Sequence, residues 1–246
     1  MRSTDLTTAA GLRTGLLEES AALVELAEGL DPSDWSRLTR VERSTVLDAV
    51  NLGTERLRRF DVELTAHLHV DAPHGTPAAT ADRALADLRT AYDAMVAALE
   101  GAGSGPDDPG PYDSALLGTV LAVALARNDV LHALGAEQAL PDASAAIAAQ
   151  AVPGILAGLV FQGVARPPGQ PIGYRLAAPS TTTAIWSAGD GWQFGEHRAI
   201  KLCNVNADDS SMLLFVTGRI GPRDLRLWVT GERDLVWLFK DYFPGQ

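Results

Sequence analysis

Two of the polar residues in the most apolar segment of the chain lie at a spacing that could support chemistry. Asp129 and His132 lie three positions apart within residues 115–135, where apolar residues recur at helical intervals. Side chains three residues apart share one face of a helix and can touch. An Asp–His pair can act as a general base. We therefore treat Asp129 and His132 as candidate catalytic residues.

A second polar group lies in residues 67–74. In an extended segment His67, His69 and Asp71 would point to one side, and His74 follows closely. Such side chains could form a metal site. The alternative is a polar helix end that runs into a solvated, proline-containing loop, which would hold the ligands poorly in place.

The other reactive side chains favour structural roles. Cys203 lies in an apolar, strand-like run, where a cysteine is usually an inert buried thiol. A single cysteine cannot form an internal disulfide, nor a cysteine-based zinc site by itself. Glu55 is one turn from Leu52, but it is better explained as an ion-pair partner of Arg58 or Arg59.

Four tryptophans fall in the last third of the chain: Trp186, Trp192, Trp228 and Trp237. We expect most of them in the core of a small sheet domain, with one or two available to line an apolar ligand groove. The chain contains no P-loop, no dinucleotide-binding glycine pattern and no G-x-S-x-G nucleophile elbow.

Composition narrows the classes of partner. The chain has 246 residues, is 46% hydrophobic and carries a formal net charge of −11, which disfavours binding to nucleic acid or to an anionic membrane surface. No window reaches the ~18 uninterrupted apolar residues of a membrane span. The N-terminus lacks the apolar region of a signal peptide. These features predict a soluble, cytoplasmic protein.

The chain contains 18 arginines and two lysines, and we attribute this ratio to coding bias in a GC-rich genome.

The elements that must position these residues change character along the chain. Helical periodicity and capping residues predict five helices before residue 165, and a Pro-rich linker follows at 165–171. Short β-like runs and two further helices come after it. The predicted helices are 5–29, 45–67, 79–100, 115–135, 142–164, 208–217 and 232–242, and the predicted strands are 173–177, 183–187, 191–194, 200–205 and 225–229.

This order predicts an α+β, mainly α, protein with two domains. Residues 1–165 would form a four-helix bundle, and residues 172–246 a small α+β domain. The segment 115–135 is apolar on nearly all faces, so we expect it at the centre of the bundle. Bundles build their sites from side chains on facing helices, so this helix is also where a site is expected.

Three motifs resemble one family. The run 34–50, DWSRLTRVERSTVLDAV, resembles the signature D-W-x-x-P-T followed by W-T-V-x-D-V-V-x-H-L of the mycothiol-dependent maleylpyruvate isomerase family. Residues at matching positions are Trp35, Thr39, Thr45, Val46 and Asp48. The central segment resembles the family's E-x-x-x-H-x-x-D-L-x-x-A-x-G and matches it at Asp129, Ala133 and Gly135. Near the C-terminus, Gly218-Arg219 and residues 227–232 match a G-R and an L-x-V-x-G-[DE] pattern.

The resemblance covers nearly the whole chain, and it implies a DinB-like helical bundle followed by a sterol-carrier-protein-like domain. It also implies a metal site, because family members hold a divalent metal, usually zinc, with a His, a Glu and a second His. Carried onto this chain, those three ligand positions are Leu52, Ala122 and Ala126. None of these side chains can bind a metal, and the neighbouring Asn51 is a poor zinc ligand. We therefore predict that the inherited metal site is lost, and the sequence leaves open whether a cavity survives there.

The resemblance also suggests roles for two charged residues. Arg219 stands where the family carries an arginine that reaches toward the active site, and it could clamp a substrate carboxylate. The alternative is a surface or interdomain ion pair. Asp129, at the family position, could be a buried hydrogen-bond anchor for a neighbouring helix end or loop instead of a general base.

Together these features predict a metal-independent enzyme that acts on a small, anionic organic molecule by isomerase, lyase, cyclisation or thiol-transfer chemistry. Arg219, Asp129 and His132 are its candidate catalytic residues. Asn51, Leu52, Ala122, Ala126 and Arg219 are its candidate substrate-binding residues. No cofactor is expected, zinc is disfavoured, and mycothiol follows from the resemblance alone.

The alternative is a non-catalytic relative that binds a small ligand or a protein. An ordinary zinc- and mycothiol-dependent enzyme survives only if the alignment is displaced or residues 67–74 supply ligands. The sequence leaves the oligomeric state open.

Overall fold

The computed structural model describes residues 9–66, 76–101, 112–136, 139–195 and 201–244. Within these ranges it contains seven α-helices and one five-stranded sheet, so the α+β, mainly α, prediction is confirmed. The helices are α1 (Ala9–Glu28), α2 (Val46–Ala66), α3 (Ala81–Gly101), α4 (Tyr112–Ala133), α5 (Asp142–Phe161), α6 (Asp209–Val216) and α7 (Leu235–Tyr242). The strands are β1 (Ile172–Ala178), β2 (Thr181–Ser187), β3 (Trp192–Phe194), β4 (Lys201–Asn206) and β5 (Trp228–Gly231).

The chain divides into two compact units, Met1–Ile147 and Ala148–Gln246, and the division falls inside α5. We call them the N-terminal unit and the C-terminal unit. The domain limits 1–165 and 172–246 remain a prediction, since α5 contributes residues to both units.

The core of the N-terminal unit is formed by helices that cross around α4. The α4 helix packs against α1 and α2, and α3 packs against α1 and α2. The side chains of Val120, Val123, Ala126 and Val130 from α4 lie in this core. The predicted central position of this helix is therefore confirmed, and it follows from an apolar surface that has no polar face to turn to water.

Two helices in the described ranges are long and apolar enough to cross a membrane by length and composition alone. They are Ala115–Ala133 in α4 and Ala143–Phe161 in α5, and 61% and 44% of these stretches are buried within the protein. Burial of α4 inside the bundle is typical of the core helix of a soluble protein.

Local capping explains where several helices begin and end. Before α2, the Thr45 backbone N–H donates to the Asp48 carboxylate at 2.8 Å, and the Asp48 N–H donates to the Thr45 hydroxyl at 3.3 Å. This reciprocal pair is a capping box, and it gives two residues of the family-like motif a structural role. After α4, Gly135 adopts a φ of +71°, as expected at a helix C-terminus. At the start of α6 the Asp208 carboxylate accepts the Ser211 N–H at 2.7 Å and caps the helix.

The C-terminal unit is built on a mixed sheet with the strand order β3-β2-β1-β4-β5. The β1 strand is antiparallel to β2 and parallel to β4. The α6 helix packs against β1, and α7 packs against β4. An aromatic cluster fills this core; its members are Tyr174, Trp192, Phe215, Phe239, Tyr242 and Phe243.

Two sequence expectations about this unit are wrong. The last strand begins at Trp228, not at 225, because residues 224–227 form a turn in which Asp224 accepts two hydrogen bonds from the Arg226 guanidinium. Most of the four tryptophans are also not buried: Trp192 is 8% exposed, whereas Trp237 is 46% and Trp228 is 72% exposed. The core positions are taken by phenylalanines of α6 and α7 instead.

Gly231 explains the glycine of the L-x-V-x-G-[DE] pattern. It has a φ of +77°, and a Cβ built on it would lie 2.3 Å from the Leu202 carbonyl oxygen on β4. The next backbone N–H, that of Glu232, donates to the same oxygen at 2.9 Å. Only glycine allows this close approach of β5 to β4 in that backbone conformation.

Candidate functional site

The α2 and α4 helices meet closely at the position predicted for the inherited site. Ala126 is fully buried, and a Cβ built on Gly53 would lie 3.4 Å from the Ala126 Cβ and 2.7 Å from Leu23 Cδ2. Ala122, one turn earlier, is partly buried. Leu52 is 46% exposed, so its side chain is not part of the packed contact between the helices. Around Ala126 the space between the helices is therefore filled.

Asn51 holds a segment of backbone next to α2. Its side-chain amide donates to the Ala78 carbonyl oxygen at 3.0 Å, and its carbonyl oxygen accepts the Ala78 N–H at 3.1 Å. This two-way bond satisfies both backbone groups of Ala78, which is itself 5% exposed. The contact favours a structural role for Asn51, and its predicted role in substrate binding stays a prediction.

Asp129 forms an ion pair inside the N-terminal unit. Its Oδ1 lies 3.5 Å from Nε of Arg40, and the two side chains are 3% and 6% exposed. Arg40 also donates to Oδ1 of the neighbouring Asn128 at 2.5 Å. Because Arg40 lies between the short 3₁₀ turn Asp34–Ser36 and α2, these bonds tie that connection to α4. This is the anchoring role that the family position suggested for Asp129.

His132 differs from Asp129 in its environment. His132 is exposed near the end of α4, whereas Asp129 is only 2% exposed. The structure thus places the two candidate catalytic residues in different surroundings, one in the core and one at the surface. General base catalysis by this pair remains a prediction.

Sequence reasoning missed a second buried ion pair, between α1 and α4. Glu19 Oε2 accepts from Nε of Arg127 at 3.0 Å, and the Ser144 hydroxyl donates to Glu19 Oε1 at 2.7 Å. The Glu19 side chain is 4% exposed. Nothing in the local sequence marks Glu19, because glutamate on a helix is usually a surface residue and its burial is set by packing.

Arg219 follows α6 in the C-terminal unit and is 9% exposed. Its guanidinium donates to the Thr217 carbonyl oxygen at 3.5 Å, close to the end of that helix. The residue before it, Gly218, has a φ of +84°, which turns the chain sharply out of the helix. The Gly-Arg pair is thus a helix stop that places a cation among the last carbonyl groups of α6.

Lys240 on α7 is a second cation at the same place. Its ammonium group donates to the Phe215 carbonyl oxygen and lies 4.7 Å from the centre of the Phe215 ring and 5.6 Å from that of Phe239. Burial, and then the charge of Arg219, lower the pKa of Lys240 to about 7. Two mutually repelling cations therefore share the C-terminal end of α6, which we call the Arg219–Lys240 cluster.

Sequence analysis had no means of finding Lys240. A lysine in the last turn of an amphipathic helix is usually solvated, and it favours the helix C-terminus on which it lies. Here Lys240 instead reaches the C-terminus of α6, a helix that ends 24 residues earlier. The one available signal was its rarity, as one of two lysines in the chain.

Cys203 and Glu55 have the structural roles expected of them. Cys203 is fully buried on β4, and burial raises the pKa of its thiol to about 11. A protonated, buried thiol is a poor nucleophile. Glu55 Oε1 lies 3.3 Å from Nε of Arg59, one of the two ion-pair partners predicted for it.

The residues present do not fit the metal that the resemblance implies. Leu52, Ala122 and Ala126 carry hydrocarbon side chains, which offer no nitrogen, oxygen or sulfur atom to a zinc ion. Within the described ranges no group of three or more His, Cys, Asp or Glu side chains is arranged to hold a metal ion. The predicted His67–His74 site lies outside the described residues.

Comparison with known proteins gives a fold relationship. No protein-family model and no curated protein matches the sequence. Two solved structures match: a crystal structure of the mycothiol-dependent maleylpyruvate isomerase and a crystal structure of a histidine-to-alanine mutant of the mycothiol-dependent maleylpyruvate isomerase. The first has a TM-score of 0.53 and 13% identity and covers 89% of this chain and 91% of the other. The mutant has a TM-score of 0.50 and 16% identity, with 85% and 88% covered. The chain therefore has a fold similar to that of the mycothiol-dependent maleylpyruvate isomerase over nearly its whole length.

Proposed function

We propose that this chain is a metal-independent enzyme, built on a scaffold like that of maleylpyruvate isomerase, and that it acts on a small organic molecule with an anionic group. The observation that carries the proposal is the Arg219–Lys240 cluster. Arg219 would bind the anionic group, which is the role assigned to it from the sequence. The shared fold supports an enzyme, and the absence of ligand atoms at Leu52, Ala122 and Ala126 supports chemistry without zinc.

Electrostatics explains why such a cluster favours an anion. Arg219 retains its charge in a protein, and only 9% of the residue is exposed to water. The charge of Arg219 destabilises the ammonium form of Lys240. An anion that contacts the cluster would reduce this repulsion, and a planar carboxylate can accept two parallel hydrogen bonds from a guanidinium.

The reaction is proposed only as a class. Isomerisation, elimination, cyclisation or thiol transfer needs a substrate held in one geometry, and positioning can supply a large part of the rate enhancement. In this account Arg219 holds the anionic group. Asp129 and His132, in the N-terminal unit, stay candidate proton-transfer groups from the sequence alone; Asp129 is buried in an ion pair with Arg40, and His132 is exposed. Mycothiol remains a possible thiol substrate by resemblance alone.

A non-catalytic ligand-binding protein is the second candidate. It is favoured by the contacts of Asn51 and Asp129, because both side chains are engaged in holding the N-terminal unit together. Under this alternative the Arg219–Lys240 cluster would bind an anionic molecule without changing it.

A binding screen with a matched pair of variants tests the proposal. Small carboxylates of increasing apolar size are screened against the protein by thermal shift, and hits are measured by titration calorimetry. Arg219→Gln should weaken a true ligand at least about tenfold, the range expected when a charged hydrogen bond is lost. Arg223→Gln should leave binding unchanged, since Arg223 is exposed and stacks on Trp237. If both variants bind every hit like the parent protein, the proposed function is wrong.

Turnover then separates enzyme from binder. Each hit is incubated with the parent protein, with and without mycothiol, and the products are followed by chromatography and mass spectrometry. Conversion that is lost in Arg219→Gln supports the enzyme. Arg219-dependent binding without any conversion supports the non-catalytic alternative.

A further inference from the structure

We propose that Lys240 is an imine-forming lysine whose substrates are aldehydes or ketones that also carry an anionic group. The proposal rests on the proposed function at one point, since it uses Arg219 as the partner of the anionic group. The structural basis is the position of Lys240 itself, a primary amine that lies against the stacked rings of Phe215 and Phe239 and near the cation Arg219.

Three contacts set the chemistry of this amine. The rings of Phe215 and Phe239, with centres 4.7 and 5.6 Å from Nζ, take the place of water on that side. The Phe215 carbonyl oxygen accepts one hydrogen bond from the ammonium group and fixes its direction. The charge of Arg219 acts against protonation of Lys240.

These surroundings resemble those that activate nucleophilic lysines. An amine in an apolar site next to another cation loses its proton near neutral pH, and the neutral form is the nucleophile. Because burial and the charge of Arg219 lower the pKa of Lys240 to about 7, a far larger share of this amine is unprotonated at neutral pH than in an ordinary lysine. An ordinary lysine is almost entirely protonated at that pH.

The proposed step balances without an oxidant or a reductant. The Lys240 amine attacks the carbonyl carbon and a C–N bond forms. The carbonyl oxygen takes up one proton from the amine nitrogen and a second proton from solvent. Loss of this oxygen as water breaks the C–O bond and leaves a protonated imine. The imine attracts electrons more strongly than the original carbonyl group, so it favours loss of a proton or a carboxyl group from the adjacent carbon. This chemistry fits the isomerase and lyase classes proposed above.

A purely structural role is the competing explanation. Cations favour helix C-termini, and both Arg219 and Lys240 contact backbone carbonyl groups at the end of α6. A structural lysine, however, would gain nothing from a lowered pKa and would not react selectively with a carbonyl compound. The two explanations therefore predict different results in a labelling experiment.

The chain offers an internal control, because Lys201 is its other lysine and is exposed at the start of β4. The probe is pyridoxal 5′-phosphate, an aldehyde with an anionic group, followed by borohydride to reduce any imine to a stable amine. Pyridoxal, which lacks the phosphate, is the matched control probe. The parent protein is treated at pH 7, and the adduct on each lysine is quantified by peptide mass spectrometry.

We expect Lys240 to be labelled at a probe concentration roughly tenfold lower than Lys201. The reason is that a larger fraction of Lys240 is unprotonated, and the unprotonated amine is the form that reacts. Pyridoxal should label Lys240 with a smaller preference, and Arg219→Gln should reduce labelling of Lys240 by pyridoxal 5′-phosphate while labelling of Lys201 is unchanged. Equal labelling of both lysines, or labelling of Lys201 alone, would overturn the proposal.

Two further measurements distinguish this proposal from the proposed function. Lys240→Arg keeps a cation at the end of α6 but cannot form an imine, and its folding is checked by circular dichroism. The reaction with carbonyl compounds should be lost in this variant and retained in Lys201→Arg, which changes the exposed lysine of β4. Carboxylate binding that depends on Arg219, together with no labelling of Lys240, would retain the proposed function and reject the imine. Selective labelling of Lys240 that is unaffected by Arg219→Gln would retain the imine and reject Arg219 as the anion-binding residue.

Discussion

Arg40 and Asp129 form a buried ion pair, with 3.5 Å between Arg40 Nε and Asp129 Oδ1, that joins the segment before α2 to the central helix α4. The relationship connects two motifs of the family-like sequence, one around residue 40 and one around residue 129. It explains why an acidic residue is present in the most apolar helix of the bundle, because an arginine reaches it from a different part of the chain.

This ion pair predicts that Asp129→Asn mainly destabilises the fold. Removing one partner of a buried pair leaves an unpaired charge, and the expected loss is about 3–5 kcal/mol in the free energy of unfolding, measured by urea denaturation. Glu25→Gln, which changes an exposed carboxylate on α1, should cost less than about 0.5 kcal/mol. If Asp129→Asn keeps the stability of the parent protein but no longer converts a substrate found in the binding screen, Asp129 is a catalytic base instead.

The close packing at Ala126 predicts opposite effects for two glycine substitutions. Gly53→Ala places a methyl group 2.7 Å from Leu23 Cδ2 and should destabilise the protein by about 1–3 kcal/mol. Gly118→Ala, on α4, meets nothing within 4 Å and should stabilise it by about 0.5–1 kcal/mol. Both are measured by urea denaturation. A neutral or stabilising Gly53→Ala would reveal open volume next to Ala126.

The lowered pKa of Lys240 predicts a specific dependence of stability on pH. Above pH 7 the folded protein loses this proton, whereas the unfolded chain keeps it up to about pH 10.5. The unfolded state then binds more protons, so the free energy of unfolding should rise with pH. Arg219 is the charge that lowers the pKa of Lys240. The strand β4, against which α7 packs, carries two further titratable residues, Lys201 and Cys203. The window from pH 7 to pH 9 lies below the titration of Cys203, whose pKa is about 11.

Two lysine variants show whether Lys240 causes this rise in the free energy of unfolding. Urea denaturation between pH 7 and pH 9 should show the rise in the parent protein and in Lys201→Met, and a smaller rise in Lys240→Met. If Lys240→Met retains the full slope, the Lys240 amine is not the titrating group and its pKa is close to that of an ordinary lysine.

Cys203 should behave as an inert core thiol. At pH 8 its reaction with a disulfide reagent such as dithiobis(nitrobenzoate) should be at least about tenfold slower in the folded protein than in the unfolded chain, because burial both protects the thiol and keeps it protonated. The absorbance of the released thiolate measures both rates. Equal rates in the two states would mean that Cys203 is reactive and that β4 is open to reagents.

Sequence reasoning succeeded where local physics decides the structure. Helical periodicity and capping residues together predicted the seven α-helices of the described ranges, and Thr45, Gly135 and Asp208 are residue types that favour helix ends. The strand β5 was misplaced because Leu225 looked like a buried strand residue, whereas the turn at Asp224–Arg226 leaves it fully exposed.

The candidate site was harder to predict because its residues meet only in the folded chain. The pairing of Glu19 with Arg127 and the approach of Lys240 to the end of α6 connect distant elements, and neither leaves a local pattern. The anchoring of Asp129 was suggested by resemblance, but its partner Arg40 was not. Periodicity places a side chain on a face of a helix, and only tertiary packing determines which charges become neighbours.

Metal analysis of the purified, untagged protein tests the central claim of a metal-independent scaffold most directly. The protein is dialysed, supplied once with zinc, dialysed again and measured by inductively coupled plasma mass spectrometry, with a protein of known zinc content as the positive control. The account predicts that this chain retains no stoichiometric zinc, because Leu52, Ala122 and Ala126 offer no ligand atom. One tightly held zinc per chain would contradict it, and would make zinc-dependent transfer of mycothiol the leading function.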